Sequence, residues 1–148
     1  MHVAIGSDHG GYQLKQAIKS FLDSMKISYE DVGCHSLDSV DYPDYALPVA
    51  ERVANGKADR GILICGTGLG MSIAANKVPG IRCAVVSDEF TARMSRAHND
   101  ANILAIGERV VGPGLAIEIV RTWLETEFSG ERHQRRVEKI KKIEERWG

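Results

Sequence analysis

Residues 61–70 read Gly-Ile-Leu-Ile-Cys-Gly-Thr-Gly-Leu-Gly (GILICGTGLG). Gly61–Cys65 is a short apolar run, the pattern of a strand buried on both faces. Gly66–Gly70 then puts three glycines in five residues, which predicts a loop. Met71–Asn76 continues as a helix until Val78-Pro79-Gly80 breaks it. A doubly buried strand that passes through a glycine turn into a helix is the unit from which parallel sheets are built.

The same rhythm extends in both directions. Upstream, His2–Gly6 reads as a strand, and Tyr12–Met25 as a helix with Leu14, Ile18, Phe21, Leu22 and Met25 at helical spacing. Ser28–Val32 is a weaker strand. Asp44–Ala54 is helical, with Asp44 able to cap it. Downstream, Arg82–Val86 reads as another buried strand, Asp88–Ala97 as a helix and Asn102–Gly107 as a fifth strand. Two further helices follow, Gly114–Phe128 and Gln134–Trp147. Strand and helix alternate five times and one helix is added. The prediction is a single α/β domain, residues 1–148, with a five-stranded parallel sheet and helices on both faces.

Composition narrows the function classes. Of 148 residues, 43% are hydrophobic and 26% charged, with a formal net charge of −1, so nothing draws the chain to nucleic acid or an acidic membrane. No apolar stretch approaches the roughly 18 residues of a membrane span. The start, Met1-His2-Val3-Ala4-Ile5-Gly6, already has a strand pattern and no signal-peptide pattern, so the expected location is the cytoplasm. Cys34, Cys65 and Cys83 are an odd set without C-x-x-C spacing. Neither a disulfide framework nor a metal centre is expected.

In open parallel sheets ligands bind outside the carboxyl ends of the strands. Those ends carry Gly6-Ser7-Asp8-His9-Gly10-Gly11, Cys65–Gly70 and Ser87-Asp88-Glu89; His98-Asn99-Asp100 stands just before the fifth strand. Their convergence is the expectation. A thiol at Cys65, beside a helix N-terminus, meets a partial positive charge that favours its thiolate. Cys83, inside an apolar strand, reads as a small hydrophobe. The glycine loop can aim several N–H groups at a phosphate or an oxyanion. It matches neither G-x-G-x-x-G nor a Walker loop. The loop and Asp88, about twenty residues on, only mimic a dinucleotide fingerprint, which leaves a non-catalytic nucleotide-binding domain as the rival reading. Redox sensing through Cys65 lacks a resolving cysteine. Asp8 can hold a ligand or simply cap the first helix.

His98 and His9 can exchange protons near neutral pH. Arg132 and Arg136 lie four apart on the last helix and share a face, and guanidinium forks match phosphate oxygens. His133 and Arg135 add charge beside them. The same helix carries Val137, Ile140, Ile143 and Trp147 as an apolar stripe that must be buried on this subunit or on a neighbour.

Four segments together are similar to the signatures of one family. They are Gly6–Gly11, Cys65–Lys77 (CGTGLGMSIAANK), His98–Asn102 (HNDAN) and Gly130–Val137 (GERHQRRV). The chain resembles the type B ribose-5-phosphate isomerases, a family that also holds the subunits of galactose-6-phosphate isomerase. The resemblance implies a Rossmann-like three-layer sandwich, a homodimer with active sites shared between subunits, and aldose–ketose isomerisation without cofactor or metal. It implies a catalytic set of Cys65, His98 and Thr67, with Cys65 as the base and His98 assisting ring opening. The amides of Gly66, Gly68, Leu69 and Gly70, helped by Asn99, would stabilise the enediolate. Asp8 would hold sugar hydroxyls. His9, Arg132 and Arg136 would grip the phosphate with Arg109 as a further contact, and Tyr42 would line the pocket. Ribose 5-phosphate is the expected substrate; allose 6-phosphate or galactose 6-phosphate is the alternative.

Overall fold

The apolar runs become strands because helices cover them on both sides. In the computed structural model, which describes residues 1–148, β1 (His2–Ser7), β2 (Ser28–Asp31), β3 (Arg60–Cys65), β4 (Cys83–Val85) and β5 (Ile103–Gly107) form a parallel sheet. Its order is β2-β1-β3-β5-β4. The pleat sends alternate side chains to opposite faces. Val3 and Ile5, Ile62 and Ile64, and Leu104 and Ile106 meet α1 (Tyr12–Ser24), α4 (Glu89–Ala97) and α5 (Pro113–Glu125). Ala4, Leu63, Cys65 and Ile103 meet α2 (Pro43–Ala54) and α3 (Leu69–Ala75). Each fully buried Leu or Ile contributes about 2 kcal/mol. The three inner strands therefore hold most of the core. The last helix, α6 (Arg132–Trp147), buries only His133 and Val137.

Several boundaries differ from those expected, each for a local reason. A 3-10 turn, His9–Gly11, precedes α1, and Asp8 caps that turn by accepting from the Gly11 N–H at 3.2 Å. Asp44 does not cap α2. Tyr42 stands at the cap without a side-chain bond, Pro43 opens the helix, and Asp44 sits in the first turn where its charge suits the dipole. The glycine loop is shorter than Gly66–Gly70: α3 starts at Leu69 because Gly68, at φ 81°, completes the turn in the left-handed region. The strand over Arg82–Val86 is not buried on both faces. It shortens to β4 at the sheet edge, paired only with β5, and leaves Val85 37% exposed. α5 stops at Glu125, short of Phe128. There the Arg60 guanidinium donates to the carbonyls of Trp123 (2.9 Å) and Leu124 (3.1 Å), and Thr126 turns extended. α6 starts two residues early, so Arg132 lies within it.

Candidate active site

Cys65 is the last residue of β3, in register with Gly107 of β5. Its side chain packs beside α3 and is 5% exposed. The sulfur is not without polar company. The Gly68 N–H donates to Sγ at 3.1 Å, from a residue in the αL conformation. Burial, only partly offset by the Ser72 hydroxyl, pushes the Cys83 thiol up to about 12, which keeps it neutral.

The loop amides divide into two groups. Gly68 N–H is committed to the sulfur, and Leu69 N–H donates to Thr67 Oγ1 at 3.2 Å. The N–H groups of Gly66, Thr67 and Gly70 have no acceptor within the chain. The loop is itself held by the turn after β5, because Glu108 N–H and Arg109 N–H donate to the carbonyls of Cys65 (2.9 Å) and Gly66 (3.0 Å).

Other expected residues gather round this loop. Asp8 N–H donates to the Ile64 carbonyl at 3.3 Å, which sets the Asp8–Gly11 turn against the end of β3. Arg109 lies over Gly66: a β-carbon built on that glycine would stand 3.5 Å from Arg109 Cδ and 3.8 Å from Cζ. Tyr42 covers Gly70 so closely that a β-carbon there would meet the ring at 2.6 Å. His9 Nδ1 accepts from the Val40 N–H at 3.1 Å. Cys65, Thr67, Asp8, His9, Tyr42 and Arg109 thus surround one sheet end.

His98, Asn99, Arg132 and Arg136 do not join them. A helix that follows a parallel strand runs back toward the sheet's amino end. His98 caps the C-terminus of α4 there, ahead of β5, and α6 starts nearby, tied by the Ser129 N–H donating to the Ala97 carbonyl at 3.0 Å. The length of β5 separates the two groups by roughly 15 Å at about 3.3 Å per residue. Within one chain the topology therefore puts the two groups at opposite ends of the sheet. Asp88 also leaves the site, since it caps α4 through the Thr91 N–H at 2.6 Å.

The amino-end group has its own order. The rings of His98 and His133 stack with centroids 4.0 Å apart and planes within 10°. Desolvation, with the nearby charge of His98, Arg132 and Arg136, holds His133 below the ordinary histidine value, so it favours the neutral form. Arg96 donates to Asp100 Oδ1 at 2.9 Å and to the Ala101 carbonyl at 2.7 Å, which fixes the turn that carries His98 and Asn99. Sequence reasoning gave His133 only a share of local charge. Its neighbours in the chain are arginines, and nothing local signals a ring stack formed 35 residues away.

Ile140, Ile143 and Trp147 stay 45%, 62% and 83% exposed, and on α3 Leu69 and Ile73 point outward one turn apart at 57% and 63%. No helix is long and apolar enough to cross a membrane.

A thiol backed by an amide, free loop N–H groups and a ring of polar side chains define a site for proton transfer next to an oxyanion. The family model of ribose/galactose isomerases matches residues 3–140, and the chain belongs to this family. A ribose-5-phosphate isomerase B structure from Clostridium thermocellum superposes with a TM-score of 0.99 at 61% identity, over 100% of both chains. Ribose-5-phosphate isomerase B of Escherichia coli is 51% identical over 97% of each chain. The Mycoplasma genitalium enzyme, solved with bound ribulose 5-phosphate, superposes with a TM-score of 0.93 at 42% identity, over 97% of this chain and 96% of that one.

Proposed function

We propose that this chain interconverts ribose 5-phosphate and ribulose 5-phosphate through an enediolate, as a homodimer whose two sites each draw on both subunits. One observation carries the chemistry: the Cys65 sulfur stands at the mouth of β3 with the Gly68 N–H on it, beside loop amides that have no other acceptor. The thiolate removes the proton from C2 of the open-chain aldose and returns it to C1, while the proton of the C2 hydroxyl passes to O1 of the enediolate. The oxyanion that develops at the carbonyl oxygen is met by the amides of Gly66, Thr67 and Gly70. A preorganised donor of this kind is worth about 3 kcal/mol in the transition state. Asp8 holds hydroxyls. His9 and Arg109 meet the phosphate, whose binding energy fixes the reacting end of the sugar.

Ring opening and the rest of the phosphate grip fall to His98, Asn99, Arg132 and Arg136. These lie too far from Cys65 in the same chain to share one sugar, which supports their arrival from a second copy. The uncovered stripes of α6 and α3 support the same arrangement, because an isologous interface would bury apolar surface of this kind. The opening assay is direct. Purified protein with chelator present should convert ribose 5-phosphate to ribulose 5-phosphate with a higher kcat/KM than for allose 6-phosphate or galactose 6-phosphate. Equal or greater turnover of a hexose phosphate overturns the substrate assignment, and no turnover of any of them overturns the isomerase reading.

A further inference from the structure

Lys15 is a charged side chain with 0% exposure, and the chemistry at Cys65 does not use it. It stands on the first turn of α1, and its ammonium reaches across to the segment that follows β2. Nζ donates to Asp31 Oδ1 at 2.8 Å and to the Cys34 carbonyl. Asp31 is fully engaged: its second oxygen takes Lys19 Nζ at 2.8 Å, and Oδ1 also accepts the Gly33 N–H at 2.9 Å. Gly33 and Cys34 then pair with the end of β1, through Ser7 N–H to the Gly33 carbonyl (2.8 Å) and Cys34 N–H to the Ser7 carbonyl (2.7 Å). A buried ion pair is weak support for stability, because desolvation cancels much of the attraction. Its geometric effect is firmer. The ammonium pins the start of the connection 33–42, and that connection ends at Tyr42, over Gly70.

Midway along, the Val40 N–H donates to His9 Nδ1. An N–H donor makes Nδ1 an acceptor, so the ring's proton must sit on Nε2. A neutral imidazole held this way offers an N–H to an anion. The opposite tautomer would present a lone pair to it.

We infer that Lys15 is a positioning residue for substrate binding: anchored on Asp31 and the Cys34 carbonyl, it holds the 33–42 connection so that Val40 keeps His9 in the Nε2–H form. The inference rests on His9 meeting the phosphate, as proposed above. Without the anchor the connection samples other conformations, and apparent affinity falls with the fraction of molecules that still present the donor. Cys65 ends β3 and Gly68 caps α3, both outside the connection, so the chemical step keeps its rate.

The test is Lys15→Met, which keeps the buried stem and removes the charge. The ring nitrogens of His9 are read by 15N NMR in the free protein, and KM and kcat for ribose 5-phosphate are measured in parallel. The wild type should show Nδ1 unprotonated and Nε2 protonated. The variant should show the two tautomers averaging and KM higher by about twofold, as expected when about half the molecules still present the donor, with kcat unchanged. If Lys15→Met does not fold, Asp31→Asn takes its place with a smaller shift in the same direction. Unchanged His9 nitrogens in a folded variant overturn the inference, whatever KM does. So does a loss confined to kcat. The NMR readout needs no substrate, so a wild type that shows the tautomer but no turnover refutes the isomerase reading and leaves the anchor standing.

Discussion

The two ends of the sheet are built differently. At the carboxyl end, one chain supplies a complete arrangement: the sulfur, its amide, the free loop N–H groups, Asp8, His9 and Arg109 all stand on or beside β1, β3 and β5. At the amino end the same chain supplies two stacked histidines and a run of arginines. The first end is anchored by backbone pairing and a buried ammonium. The second is carried by the C-terminus of α4 and by α6, which shows most of its apolar stripe to solvent. On the proposed reading, the carboxyl end is assembled within one chain and the amino end meets the substrate only beside a second copy.

The largest expected effect separates the two ends. Cys65→Ala removes the thiol proposed to move the proton and should lower kcat by about 10³-fold or more while far-UV CD stays unchanged. His98→Asn should also lose most turnover. The two inactive variants, unfolded together and refolded as a mixture, should regain activity. In a mixed dimer one site inherits both substitutions and the other inherits neither. Random pairing makes half the dimers mixed, so about a quarter of wild-type activity returns. No recovery, with mixed dimers verified by mass spectrometry, would mean that Cys65 and His98 serve one site within a chain, and the contrast drawn between the ends would collapse.

Much of the carboxyl end was legible because its signals are local. A doubly buried strand announces itself as an unbroken apolar run, and β1, β3 and β5 lie within a residue or two of where those runs put them. A cysteine that enters a glycine turn shows its chemistry in neighbouring letters. The edge strand β4 misled for the same reason: Arg82–Val86 has the letters of a buried strand, yet only pairing order decides that one of its sides is open. The amino end was legible in kind and not in place. His98 precedes β5 in the sequence, and the return path of α4 was enough to put it opposite Cys65. The stack on His133 and the reach of Lys15 to the Cys34 carbonyl join residues distant in sequence, and neither has a local pattern.

The smallest expected effect tests whether the carboxyl end is held from within. Burial alone would raise the Asp31 carboxyl, but the Lys15 and Lys19 ammonium groups and the Gly33 N–H outweigh it and hold it below the usual aspartate value. A carboxylate held lower in the folded than in the unfolded chain stabilises the fold above the unfolded value near 4, and that contribution is lost as pH falls through the folded value. Asp31→Asn keeps the shape and removes the charge. At pH 6 it should cost about 2 kcal/mol, or roughly 4–8 °C in Tm, because Lys15 loses its counter-ion yet keeps hydrogen-bond acceptors. Below about pH 4 the gap should close as the wild-type carboxyl takes up its proton. The gap at pH 6 should also be the same at every protein concentration, since both members of the pair belong to one chain. Thermal melts across pH and concentration decide this. A gap that stays constant into acid removes Asp31 as a charged anchor, and one that varies with concentration moves the anchor from the chain's interior to the contact between copies.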